Sequence, residues 1–266
     1  MPMEKPSKPT IHVPLNDNDL LRQTLERVNA NEEIRTLWDI LNVNAIDRLA
    51  MTDHGPVHFQ IVANIALRIL RILRKHDVKM SIVKDFKLTE NHAEVVVLLA
   101  SVLHDIGMSI HRPNHEEYSL FLANPLLHEL LSFLPVKERT IVISDTLHAI
   151  ISHRSDGRPL TIEAGIVRVA DALDMTKGRS RIPYEAGKVN IHSLSAYAVE
   201  GIEILEGHDR PVLINISMTN SSGIFQVDEL LKEKLEHSGI EKYFEIKAFI
   251  KGKTEKKLLK EFIIKY

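Results

Sequence analysis

LLASVLHDIGMSI, residues 98–110, is the stretch from which the rest of the chain is read. An apolar helical run delivers His104 and Asp105 side by side and breaks at Gly107. An imidazole and a carboxylate at the buried end of a hydrophobic helix cost free energy unless something binds them. A divalent metal ion takes neutral imidazole nitrogen and carboxylate oxygen together. The plain alternative is a surface pair or a capping aspartate. The choice depends on whether other segments supply partners.

Composition narrows the partners. With 34 Lys and Arg against 36 Asp and Glu, the 266-residue chain has a net charge of −2. No bulk basic field points to nucleic acid, although a local strip would be enough to bind it. The 44% hydrophobic content suits a globular protein with a sizeable core. Without cysteine, disulfides and thiolate-bound zinc are impossible, so a metal must use His, Asp and Glu. Apolar runs such as residues 95–103 are short of a membrane span. The N-terminal MPMEKPSKPT lacks the apolar core of a signal peptide. The expectation is a cytoplasmic protein with no membrane partner. Six of the 14 histidines (His104, His111, His115, His128, His148 and His153) crowd into one fifty-residue stretch.

Working outward, apolar spacing predicts a helical domain over 17–183 behind a flexible or surface-strapped N-terminus, 1–16. Helices are expected at about 18–28, 32–49 and 57–76, the last entered through Pro56 with His58 in its first turn and Arg68, Arg71 and Arg74 facing water. Asn91 with Glu94 reads as a capping box for the helix ending at His104, and Asn114 with Glu117 repeats the device before His115. Pro125 and Pro135 bracket a predicted helix over 126–134. A helix over 137–152 delivers His148 and His153, and one capped by Thr161 carries Asp171 and Asp174. After Pro183 the texture changes. Alternation over 199–205 and 212–218, an amphipathic stretch over 228–237 and a strand pair at 242–250 and 257–265 predict a small α+β unit, 184–266. The fold class is therefore mainly α, with a helical domain followed by a small α+β C-terminal unit. The strands of that unit offer a sheet that a second copy can extend, so a homodimer is expected.

The order His58, His104-Asp105, His115, His153, Asp171 resembles the HD-domain superfamily of metal-dependent phosphohydrolases. HFQIVA, LLASVLHDIG, NHEEYS, AIISHRSDG and VRVADALD carry the resemblance. It covers roughly residues 50–180 and is most similar to the HD domains of ribonuclease Y and of cyclic-dinucleotide phosphodiesterases. The resemblance implies a first metal site from His58, His104, Asp105 and Asp171. It further implies a second ion held by His115 and His153, with Asp105 as the bridge. Those phosphodiesterases often carry a His-His pair where this chain has His153-Arg154. The Tyr-Pro signature of the HD-GYP subfamily is replaced by Arg158-Pro159-Leu160, so cyclic di-GMP is not implied.

The cofactor expected is one or two divalent ions of Mn, Fe, Co, Ni or Zn. Such ions polarise phosphoryl oxygens and activate a water for in-line attack. Arg112, Arg154, Lys177, Arg179 and Arg181 lie just beyond the proposed ligands, where an arginine fork or an ammonium group meets phosphate. Arg179 and Arg181 read equally as solvated charges after a helix end. His111 and His148 are candidates to protonate a leaving oxygen, and each also reads as an ordinary loop or hydrogen-bonded histidine. His54 is an alternative donor to His58, and Asp174 reads as a supporting or structural residue. Histidines 12, 76, 92, 128, 192, 208 and 237 read as surface residues. A small phosphorylated, nucleotide-like substrate is expected. The alternatives are a ribonuclease or nucleic-acid phosphodiesterase, disfavoured by the absence of an aromatic stacking pattern in the C-terminal unit, and a non-catalytic nucleotide sensor.

Overall fold

The computed structural model describes residues 10–154, 156–176, 191–251 and 261–265. Its helical part comprises α1 (Asp19–Ala30), α2 (Glu32–Asn42, continued by a π-helical turn, Val43–Arg48), α3 (Pro56–Lys75), α4 (Ser81–Phe86), α5 (Glu90–Leu103), α6 (His115–Leu130), α7 (Val136–Ser152) and α8 (Ile162–Ala172). Helix α5 is the axis of this domain. Every residue from His92 to Leu103 is buried, because the sequence is apolar on all sides and α1, α3, α7 and α8 pack around it. Trp38 of α2 is fully buried and donates its indole N–H to the Val102 carbonyl at 3.1 Å, so its polar atom is satisfied inside the core.

α3 and the stretch Glu90–Ser109 are long and apolar enough to cross a membrane by length and composition, which corrects the expectation that no run reaches that length. Both lie in the helical core, and 94% of the second stretch is buried inside the protein. Its apolar surface is used by helix packing.

The helix ends differ from the sequence reading in three places. α5 is capped by Thr89 with His92 at the third position, and not by Asn91 with Glu94. His92 is accordingly buried. Glu94 is instead a buried carboxylate that accepts from Asn18 and pairs with Arg71 Nε at 2.8 Å, so Arg71 does not simply face water. Asn114 adopts a left-handed conformation and makes no side-chain cap. α6 also runs unbroken through Pro125. The ring opposes the carbonyl of Phe121, and both residues are exposed, so water can take the carbonyl that the helix leaves free. The N-terminal segment is strapped down where it is described. Ile11 is fully buried, and its backbone exchanges two hydrogen bonds with the Asn29 side chain at 2.8 Å.

The C-terminal unit contains α9 (Ile191–Ala198), β1 (Val199–Glu206), β2 (Val212–Met218), a π-helical turn (Gln226–Leu231) running into α10 (Lys232–Glu236), β3 (Phe244–Ile250) and β4 (Glu261–Lys265). The sheet order is β1-β2-β3-β4. β1/β2 and β3/β4 are antiparallel, whereas β2 and β3 are parallel. A parallel neighbour needs a crossover, and the segment containing α10 supplies it. That crossover packs on α8. A Cβ at Gly165 would stand 2.5 Å from the Ser238 carbonyl oxygen, so only glycine allows this approach. The start of the C-terminal unit falls in a stretch outside the described residues, as does Gly178. α8 itself ends at Ala172.

Candidate metal centre

Five segments of the helical domain converge on one buried cluster. α3 brings His58 in its first turn, and the turn before it brings His54. The C-terminal end of α5 brings His104 and Asp105, where the helix gives way to a 3-10 turn (Ile106–Ser109). α6 begins at His115, α7 ends just before His153, and α8 carries Asp171 in its last turn. Gly107 makes the convergence possible. A Cβ there would lie 2.0 Å from the His115 carbonyl oxygen and 2.5 Å from the Ser119 amide nitrogen. Ser119 Oγ accepts from the Gly107 N–H at 2.8 Å and donates to the His104 carbonyl at 2.6 Å, fastening α6 to the His-Asp turn.

Asp105 stands between two groups of donors, one on each carboxylate oxygen. Oδ2 is 3.6 Å from His104 Nε2, 4.0 Å from His58 Nε2 and 2.8 Å from His54 Nδ1. Oδ1 is 2.9 Å from His115 Nε2 and 3.5 Å from His153 Nε2. Asp171 Oδ1 closes the first group, 3.3 Å from His58 Nε2 and 3.7 Å from His104 Nε2. His54, expected only as a substitute for His58, thus joins the cluster beside it.

The partner of the second nitrogen sets the tautomer of three of the four rings. Nδ1 of His58 faces Asp174 Oδ2 at 2.6 Å. Nδ1 of His104 faces the Ser101 carbonyl at 3.0 Å, that of His153 the Ile150 carbonyl at 2.6 Å, and that of His115 the Arg112 carbonyl at 3.0 Å. With the proton held on Nδ1, the rings of His58, His104 and His153 turn an Nε2 lone pair inward, whereas Nδ1 of His115 faces both the carbonyl and, at 2.9 Å, the guanidinium of Arg112. Two such nitrogens, on His58 and His104, are only 3.2 Å apart. Facing lone pairs at that distance repel unless a cation or a proton lies between them. A proton is a poor answer, because burial pushes the His104 pKa down to about 3. Desolvation works against ionised Asp105 too, yet the imidazoles of His104, His115, His153 and His54 outweigh it and hold the carboxyl well below its usual range. Asp171 is likewise held low, against its own desolvation, chiefly by Lys234 and then by His58 and His104. Donors about 2.1 Å from a common ion stand roughly 3 to 4 Å apart, which is the spacing of the first group. The donor chemistry and the spacing therefore fit divalent metal ions. Ligand atoms of four overlapping trios lie within 4.8 Å of one another: His54-His58-Asp105, His58-His104-Asp171, His104-Asp105-His153 and His115-Glu116-His153.

All six residues expected as ligands thus meet in one cluster. The expected acids and phosphate groups fare differently. His148 does not reach the cluster through its described contacts. Its Nε2 accepts the Leu160 N–H at 2.8 Å and its Nδ1 faces Ser152 Oγ at 3.4 Å, so the ring ties α7 to the following loop. His111 is exposed in the turn before α6. Arg112 lies against the His115 ring, its Nη1 2.9 Å from Nδ1. Arg154 is at the rim, near Glu116 and Asp156. Lys177, Arg179 and Arg181 lie outside the described residues.

Three contributors, Glu116, Arg168 and Lys234, escaped the sequence reading, and a fourth, Asp174, was read only in part. Asp174, read from the sequence as a supporting or structural residue on the helix of Asp171, lies two residues beyond the end of α8 and supports His58 directly. Glu116, next to His115, is buried at the second group. Arg168 is fully buried, and its guanidinium collects the carbonyls of Ser152, Arg154 and Gly157 after α7 and that of Lys234. It holds the His153 turn in place with a cation where a helix C-terminus favours one. Lys234, from α10, ion-pairs with Asp171 Oδ2. No spacing rule links it to the histidines.

A helical domain built on a His-Asp turn, with imidazoles and carboxylates from five segments, defines an HD-type protein with a candidate metal centre. A family model described as HD domain matches residues 57–176, and the chain belongs to the HD-domain superfamily. It is 41% identical over 235 residues to the uncharacterized protein MJ1020 of Methanocaldococcus jannaschii, a match covering 88% of this chain and 90% of that relative. No solved structure matches the chain significantly.

Proposed function

We propose that the protein is a metal-dependent phosphohydrolase that cleaves a small phosphate ester, a nucleotide or a phosphodiester. The observation that carries the reading is Asp105, whose two oxygens face two separate sets of Nε2 donors. His58, His104, Asp105 and Asp171 would hold a first ion, and His115, His153 and Asp105 a second. Bound ions of this kind supply Lewis acidity toward phosphoryl oxygens and a nucleophilic water near neutral pH. The protein's own part is positioning. The Nδ1 acceptors hold the imidazoles of His58, His104 and His153 in one tautomer, and His54 steadies Asp105. Arg154, half exposed at the rim, would neutralise charge on the non-bridging oxygens. Exposed His111 is the group left to protonate the leaving oxygen. A water-excluding wall behind the cluster comes from Phe59, whose ring lies 5.4 Å from that of His104. The small substrate matches a net charge of −2, and the described residues give no reason to prefer nucleic acid. Cytoplasmic location and a homodimer belong to the same proposal.

Asp105→Ala tests it. Bound metal should fall to a small fraction of the wild-type content, and hydrolysis of an aryl phosphate and of a nucleotide panel should vanish, with the helical circular dichroism kept. Wild-type metal content in this variant would overturn the metal assignment. A metal-loaded wild type inert across the panel would overturn the hydrolase.

A further inference from the structure

We propose that Glu116 is a ligand of the second ion and that Arg154 holds its place until the ion arrives. The inference rests on the metal-centre reading above. Glu116 is only 4% exposed. A carboxylate that deep needs close partners, and charge-assisted hydrogen bonds normally run about 2.7 to 2.9 Å. The polar contacts described for Glu116 are both longer. Oε1 is 3.3 Å from His115 Nδ1, a nitrogen already directed at the Arg112 carbonyl, and Oε2 is 3.6 Å from Arg154 Nη1. The carboxylate is therefore buried, with only these two long contacts described for it, at the edge of the second group.

That group is short of donors without it. His115 and His153 supply two nitrogens, and Asp105 supplies the single oxygen it turns their way. Ligand atoms of His115, Glu116 and His153 lie within 4.8 Å of one another. Adding the Glu116 carboxylate makes a set of two imidazoles and two carboxylates, which suits manganese, iron or zinc. His115 and Glu116 are the first two residues of α6, so the turn that places one places the other.

Arg154 then has a defined exchange to make. Its side chain is 49% exposed and touches Glu116 with one nitrogen and Asp156 with another. A divalent ion on Glu116 outcompetes one long guanidinium contact. The freed Nη1 would then be available at the rim to meet a phosphoryl oxygen. Ion loading and exposure of the phosphate-binding arginine are thereby one event.

The experiment is metal stoichiometry on full-length protein stripped with chelator and titrated with manganese, read by calorimetry and by elemental analysis after desalting. Wild type should take two ions per chain, Glu116→Gln one, and Arg154→Met two, with the second bound several-fold more tightly than in wild type. Circular dichroism and the one remaining ion show that Glu116→Gln is folded. Two ions at wild-type affinity in Glu116→Gln, or one ion in wild type, would overturn the proposal. Unchanged affinity for the second ion in Arg154→Met would overturn the place-holder role. Two ions in wild type and one in Glu116→Gln, with no phosphate ester cleaved, would leave the ligand assignment standing and remove the hydrolase reading.

Discussion

Asp174 Oδ2 stands 2.6 Å from Nδ1 of His58, and through that contact the turn after α8 decides which nitrogen of an α3 side chain looks into the centre. The two residues are 116 positions apart. Both are buried, so neither can exchange the contact for water without opening the helical packing.

Asp174→Asn tests the consequence. The amide keeps the volume but replaces a charged acceptor with a neutral one. Partners that orient a metal-bound imidazole typically contribute 10- to 100-fold in metal affinity. We expect manganese affinity at the first site to weaken by about that factor, while the melting temperature in chelator stays close to wild type. Wild-type manganese affinity in a correctly folded variant would show that His58 does not depend on Asp174.

Among the described residues, the ion pair between Lys234 and Asp171 joins the C-terminal unit to the cluster. In metal-free protein Lys234 is the main group offsetting the desolvation of Asp171. Once an ion binds, it shares that task. Lys234→Met should therefore cost more stability without metal than with it. Removing one partner of a buried hydrogen-bonded charge costs about 1 to 3 kcal/mol, so a drop of several degrees is expected in chelator and a visibly smaller one in manganese. Equal drops in the two conditions would mean that Asp171 does not ligate the ion.

Gly107 separates packing from chemistry. Alanine at this position puts a methyl group 2.0 Å from the His115 carbonyl oxygen, a backbone atom that cannot swing away. α6 has to shift, and overpacking of this kind typically costs 1 to 3 kcal/mol. The shift moves His115 away from Asp105 but leaves His58, His104 and Asp171 where they are. Gly107→Ala should melt several degrees lower and lose the second manganese ion while keeping the first. Retention of both ions would show that α6 does not need its close approach.

How much of this was legible depends on the distance over which each residue acts. His104, Asp105, His58 and Asp171 could be picked out because each is a polar residue set in an apolar helix, an anomaly visible locally. The helices themselves followed from apolar spacing, since burial of one face decides where they form. The misread helix ends involve tertiary competition. Glu94 fits a capping box by spacing but is taken by Asn18 and Arg71 from other helices. Pro125 looks like a boundary, yet it sits on an exposed face where losing one hydrogen bond is tolerated. His148 has the right neighbours in sequence, and a backbone N–H twelve residues away takes its lone pair. Lys234 meets Asp171 only because the crossover of a separate sheet lies on α8, and no pattern within either segment records that.

One strained group lies outside the centre and gives a pH dependence of known sign. Asp145 of α7 is buried, its Oδ2 has no hydrogen-bond partner among the described residues, and its pKa is raised from 3.8 to about 6. Desolvation is the main cause, followed by the charges of Glu163 and Asp85. Glu163 cannot turn away, because its oxygens accept the Ser81 and Ile82 N–H groups at the start of α4. Between about pH 4 and 6 the folded chain holds a proton on Asp145 that the unfolded chain has released, so stability falls as pH rises through this window. Above pH 6 the full penalty of an ionised, buried carboxylate remains. Asp145→Asn has no charge to bury. Urea unfolding at pH 8 should therefore show the variant more stable than wild type by about 1 to 3 kcal/mol, from a shift of about two pKa units. At pH 4.5, where wild-type Asp145 is largely protonated in the folded state, most of that advantage should be gone. A stability difference that is the same at both pH values would place the charge of Asp145 in contact with water and remove the strain.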